Sequence, residues 1–267
     1  NQPITPHSSP AGWQLAKAHF QMADGAYHEA VTHLLETHLV IELVATAAHR
    51  NLHPDHPVMQ LLVPHFSDNL MIDALARTSL LNKNGPIDNA IGVGAKGALN
   101  AVGAVWQTWD FNDKSPSRDL QLRGLDDENV LGSFWYRQDA TAIMTATGEF
   151  ADHLMSAWYK DDADVAGDHE LQAWAAELSS SEGAALRGFP ERLDTRERLT
   201  WAIKEIVFRA SAQHAAVNNG QHDRYGWPPY SPTALAETSA TPAIASGQDI
   251  TELDYWNALP NRAQCRA

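Results

Sequence analysis

Apolar residues recur at helical spacing along most of the chain. The pattern predicts helices over 12–24 and 26–48, parted near Asp24 and Gly25, then over 68–82, 87–108, 138–160 and 168–180. Pro54, Pro57 and Pro64 interrupt 49–66, which reads as irregular or as short turns. Another helix should start near Asp194, where DTRE supplies an N-cap and an acidic residue three positions later, and run to about Asn218. GQHDRYGWPPYSP reads as loop, 234–248 carries little pattern, and a last short helix covers 251–258, before Pro260. No internal repeat and no convincing strand pair is present. The fold class is mainly α, and 1–267 is taken as a single domain.

The segment 26–48 is apolar almost all round, through Val31, Leu34, Leu35, Leu39, Val40, Ile41, Leu43 and Val44. Such a helix belongs at the centre of a helical bundle. Within it, HEAVTHLLETHLVIE places His28, His33 and His38 at intervals of five. A regular α-helix turns each by about 140° from the last, onto different faces. A buried imidazole needs a hydrogen-bond or metal partner. A carbonyl or carboxylate partner explains one such histidine, but three in one buried helix weaken that explanation. If the helix widens to i→i+5 bonding, with about 4.4 residues per turn, His33 and His38 face the same side, and such widening is frequent at functional sites.

A second pair lies in ASAQHAAVNNGQ, where His214 and Asn218 stand at i and i+4 and share a face without distortion. Read locally, they are a helix terminus, with Asn218 near the C-cap and His214 favourable to the dipole. Together with His33 and His38 they amount to three imidazoles and one amide. Imidazole suits Zn, Fe, Cu or Ni, so the donors alone do not choose a metal. A centre of this kind with an open position serves as a Lewis acid or activates water.

Composition narrows the partners. The net charge of −14 argues against a nucleic-acid surface and against strong attraction to anionic membranes. The single cysteine, Cys265, rules out a disulfide within the chain. The most membrane-like stretch, 90–106, is rich in Gly and Ala, carries a lysine, and reads as a close-packed helix.

At the histidines the sequence resembles the lipoxygenase family. That family's iron-binding pattern, five histidines separated by four, four, seventeen and eight residues, is met by His28, His33, His38, His56 and His65. WQLAKAHFQMADGAYHE, ATAAHRNL, HPVMQLLVPHF, the INALAR-like IDALARTSLLNKNG at 72–85 and HAAVNNGQ at 214–221 extend the resemblance, which runs from about Trp13 to the ALPN at 258–261 and looks closest to bacterial members.

The resemblance implies a lipoxygenase catalytic-domain-like fold with one non-heme iron per chain, bound by His33, His38, His214 and, more weakly, Asn218. It gives His28, His56 and His65 neighbouring or structural roles. It places Gln221 between the iron surroundings and the substrate pocket, Ala76 where alanine accompanies S-configured products, and Leu80 and Ile87 beside the reacting pentadiene. Arg50, Arg77 and Arg137 are candidates for the substrate carboxylate. The implied reaction is dioxygenation of polyunsaturated fatty acids to conjugated diene hydroperoxides, an iron-bound hydroxide taking the bis-allylic hydrogen before O2 adds.

The chain also departs from the pattern. The family completes its iron shell with the carboxylate of its own last residue, whereas this chain ends NRAQCRA, and Asn219 stands where an aromatic residue is common. It begins at Asn1 rather than Met. These features raise the expectation of a fragment or processed product that associates with its remainder or with itself. The alternatives are a short relative performing another iron-dependent oxidation on a non-lipid metabolite, or a non-catalytic scaffold. A secreted or periplasmic location is favoured over the cytoplasm.

Overall fold

The computed structural model describes residues 3–260, apart from the side chain of His222; the end NRAQCRA, with Cys265 and the last residue of ALPN, lies outside the described residues. The described residues are helical and contain no strand, as the apolar periodicity implies. The two N-terminal helices expected from the pattern are one. Residues Pro10–Asn51 form an unbroken 42-residue helix, which passes through Asp24 and Gly25 without a turn. Gly25 is buried because a ring packs on it. A Cβ there would lie 3.5 Å from the Tyr225 ring, an ordinary contact, so the helix simply runs on through this glycine with the ring packed beside it. By length and composition this helix is apolar enough to cross a membrane, but 56% of the qualifying window is buried inside the protein, as in the core helix of a globular domain.

The chain divides into two compact units, one of residues 1–33, 74–104 and 217–267, the other of 34–73 and 105–216. In the first unit, the start of the long helix packs against Glu252–Ala258 and Ala240–Ala245. Leu15, Ala18, Ile244, Ile250, Tyr255 and Ala258 form its core. Thr251 and Asp254 close a capping box at the last helix, where the sequence expects one to begin. The helix expected over 87–108 is split into Pro86–Ala90 and Gly94–Trp106. Gly94 has a φ of +65°, a left-handed conformation that ends one helical run and starts the next. The stretch read as loop contains a short helix, Gln221–Tyr225.

In the second unit, Val40–Asn51 packs on His169–Ser179, and Trp135–Trp158 runs along Arg196–Phe208. Trp174 is fully buried, and its indole N–H reaches the Val44 carbonyl at 3.4 Å. The proline-rich 49–66 is more ordered than its prolines suggest, holding Pro57–Leu62 and a 3₁₀ turn at Val63–Phe66. Each proline there sits in the first turn or outside a helix, where no amide hydrogen is needed. The helix expected from Asp194 begins one residue later: Thr195 is the N-cap, accepting from the Arg198 amide, while Asp194 pairs with the Arg198 side chain.

Candidate metal centre

The long helix departs from α geometry over His28–Leu39, where it is a π-helix. The widening expected from the five-residue spacing is present and spans the whole histidine run rather than one turn. The second histidine helix holds a distortion that its sequence does not announce. Arg209–Gln213 is also π-helical, with the His214 amide reaching back to the Arg209 carbonyl, and regular helix resumes at His214–Asn218.

His33, His38 and His214 form a group able to hold a metal ion, each offering a ring nitrogen, all within 4.8 Å of one another. His38 Nε2 and His214 Nε2 are 3.0 Å apart, with the rings edge to face. Behind these rings stand carboxylates. His38 Nδ1 meets Asp73 Oδ1 at 2.7 Å, and the Asp73 side chain is 2% exposed. His33 Nδ1 meets Glu29 Oε2 at 3.2 Å, while Glu29 Oε1 takes His28 Nδ1 at 3.1 Å. Burial pushes the Glu29 carboxyl up, but the hydrogen bonds from His28 and His33 outweigh it and hold it at about 2. Gln221 Nε2 also lies 3.3 Å from His33 Nδ1, yet it donates to the Val217 carbonyl at 2.7 Å. An ionised Glu29 can only accept, so the Nδ1 proton belongs to the Glu29 bond and Gln221 is a close neighbour of the ring.

Glu36, between His33 and His38 in sequence, turns into the second unit. Its carboxylate takes the Trp109 indole N–H at 3.1 Å, the Gln213 amide at 3.3 Å and the Lys114 ammonium at 3.4 Å. Gln213 directly precedes His214, so this buried bond ties one π-helix to the other. Neither Glu36, Glu29 nor Asp73 is singled out by periodicity. The available signal was local only for Glu29, four residues before His33 and hence on its face in a regular helix.

Asn218 is exposed, with its amide 3.4 Å from the Asn219 side-chain oxygen. Ala76 is buried on Asn69–Ser79, and Leu80 and Ile87 are joined by an amide-to-carbonyl bond of 3.2 Å. His28 is held by Glu29 and by the Tyr225 hydroxyl at 3.0 Å, whose ionisation burial, first, and the nearby Glu29 and Asp24 raise to about 12. His56 belongs to another network. Its Nδ1 accepts from the Val58 amide, and its Nε2 donates to Asp168, which also takes the Tyr159 hydroxyl and caps His169–Ser179. His65 sits half-buried in the 3₁₀ turn, its pKa lowered by burial. Of the three arginines, Arg50 pairs with Glu177 at 3.0 Å and Arg137 donates to the Leu125, Leu131 and Gly132 carbonyls, a loop clamp, while Arg77 is exposed.

A family model described as Lipoxygenase matches residues 2–261. The chain is 32% identical to the allene oxide synthase-lipoxygenase protein of Plexaura homomalla, over 97% of this chain and 25% of that one. It is 34% identical to the hydroperoxide isomerase ALOXE3 of Mus musculus, over 95% of this chain and 35% of that one. Among solved structures, a coral 8R-lipoxygenase superposes with a TM-score of 0.91 at 31% identity, covering 99% of this chain and 40% of the coral chain. A lipoxygenase from Fusarium graminearum gives 0.81 at 26% identity, over 100% and 42%. The chain therefore spans between a quarter and two fifths or so of the length of the proteins it matches.

Proposed function

The chain belongs to the lipoxygenase family, and on that premise we propose that it is the iron-holding part of a dioxygenase. Its substrates in this reading are O2 and polyunsaturated fatty acids with a linoleate-type 1,4-pentadiene, and its products conjugated diene hydroperoxides. The observation that carries the reading is the grouping of His33, His38 and His214 on two π-widened helices. The donors suit the ion, because imidazole nitrogen is a good ligand for iron. His38 Nε2 and His214 Nε2 stand 3.0 Å apart within the histidine group, so these two nitrogens converge where an ion would be held. Asn218, one turn beyond His214, is the amide ligand in this reading.

When bound, iron supplies the one-electron chemistry that the protein's own side chains lack. The chain's residues orient and shield. Glu29 holds His33 through Nδ1, and Glu36 with Gln213 braces the two histidine helices. In this reading Ala76, Leu80 and Ile87 supply apolar contacts to the pentadiene, and Gln221, which stands against the His33 ring, links ligand and substrate. Met71 and Leu75, on Asn69–Ser79, are each more than half exposed and are suited to meeting further polypeptide or a second copy.

A second reading is favoured by the name of one relative, hydroperoxide isomerase: rearrangement of a fatty acid hydroperoxide at the same centre. Metal analysis of the purified protein, with linoleic acid and its hydroperoxide supplied separately, decides between them. Iron with conjugated-diene absorbance from linoleic acid supports dioxygenation. Consumption of hydroperoxide without diene formation from linoleic acid supports isomerisation. A protein that retains no iron sinks both.

A further inference from the structure

We propose that Asp73 is the positioning residue of the centre: it selects the nitrogen that His38 offers to the metal and raises that nitrogen's donor strength. This role rests on the proposed metal centre. Asp73 stands on Asn69–Ser79 and is 35 residues from His38 in the chain. Its Oδ1 lies 2.7 Å from His38 Nδ1, and its other oxygen, Oδ2, is buried with no hydrogen-bond partner among the described residues. The carboxylate is thus aimed at one imidazole.

A carboxylate accepts, so Nδ1 must carry the ring proton, and the lone pair is left on Nε2. That nitrogen faces His214 Nε2 at 3.0 Å, inside the histidine group. An amide partner would fix the same tautomer. An anionic partner does more, because a buried negative charge behind the ring favours positive charge in front of it and favours the more highly charged ion most. Asp73 therefore tightens the hold on iron and lowers the Fe(III)/Fe(II) midpoint potential.

The full chain and its D73N and D73L variants separate position from charge. Asn keeps an acceptor oxygen in the same shape, whereas Leu removes the acceptor. Fe(II) affinity is read by competition against a chelator, and the midpoint potential by mediated titration followed through the Fe(III) EPR signal. D73N is expected to bind iron about tenfold more weakly and D73L about a hundredfold. The D73N midpoint should lie above that of the unsubstituted protein. Circular dichroism of the iron-free proteins checks folding, and the near-isosteric D73N decides the matter if D73L does not fold. Iron held by the unsubstituted protein, with D73N unchanged in both affinity and potential, overturns the role of Asp73 alone. No iron in the unsubstituted protein overturns the metal centre and this role together.

Discussion

At the scale of single residues, equal histidines have unequal work. His28, His33, His38, His56 and His65 share one sequence pattern, yet only His33 and His38 join His214 in the metal-competent group. His38→Ala should abolish iron retention, while His65→Ala should leave most of it; metal analysis of the two purified variants checks this, and equal loss would undo the assignment. His56 instead serves packing through Asp168. Burial raises the Asp168 carboxyl, but His56, the Leu171 amide and the Tyr159 hydroxyl outweigh it and hold it at about 2. In an unfolded chain the same group titrates near about 3.9. The anion therefore stabilises the fold above that value, and the contribution disappears as pH falls through about 2. Because the group is partly exposed, the effect is modest. Thermal unfolding should show Asp168→Asn less stable than the unsubstituted protein at neutral pH, the two converging toward pH of about 2.

At the scale of elements, both helices that carry the grouped histidines are π-widened, and both are held by groups outside themselves. A π segment gives up regular α bonding, so it persists where tertiary contacts over-determine it. Glu36 supplies such a contact, taking hydrogen bonds from Trp109 on one side and Gln213 on the other. Glu36→Ala leaves those buried donors unpaired and should cost about 1–3 kcal/mol in denaturant unfolding. It should also loosen iron retention, because Gln213 adjoins His214. A variant with unchanged stability would show that the brace carries little of the load.

At the scale of the whole molecule, two compact units each have their own packing, one around Leu15, Ile244 and Tyr255, the other around Trp174 and its aromatic neighbours. A metal that binds the folded chain and not the unfolded one stabilises it by about 2.7 kcal/mol at a free concentration 100 times its Kd. Adding a chelator should therefore lower the melting temperature of the iron-loaded protein. The same addition should leave His214→Ala unmoved, since that variant has no tight site to empty. Differential scanning of both proteins with and without chelator measures this, and identical shifts would place the metal elsewhere.

The sequence by itself determined the helical class, most element positions, the widened helix at HEAVTHLLETHLVIE and membership of the lipoxygenase family. The first three are written in local spacing, as apolar period, proline placement and the interval between histidines, and the last in the resemblance of its motifs to that family. Only the tertiary structure decided that the helix continues through Gly25, with the Tyr225 ring packed beside it. It likewise assigned Arg137 to a loop clamp and joined Asp73 to His38 across 35 residues and Gln213 to Glu36 across 177. The physical reason is that a pattern along one element records which faces are buried, not which distant group completes a buried donor or acceptor. Those pairings exist only once the chain has brought both partners out of water.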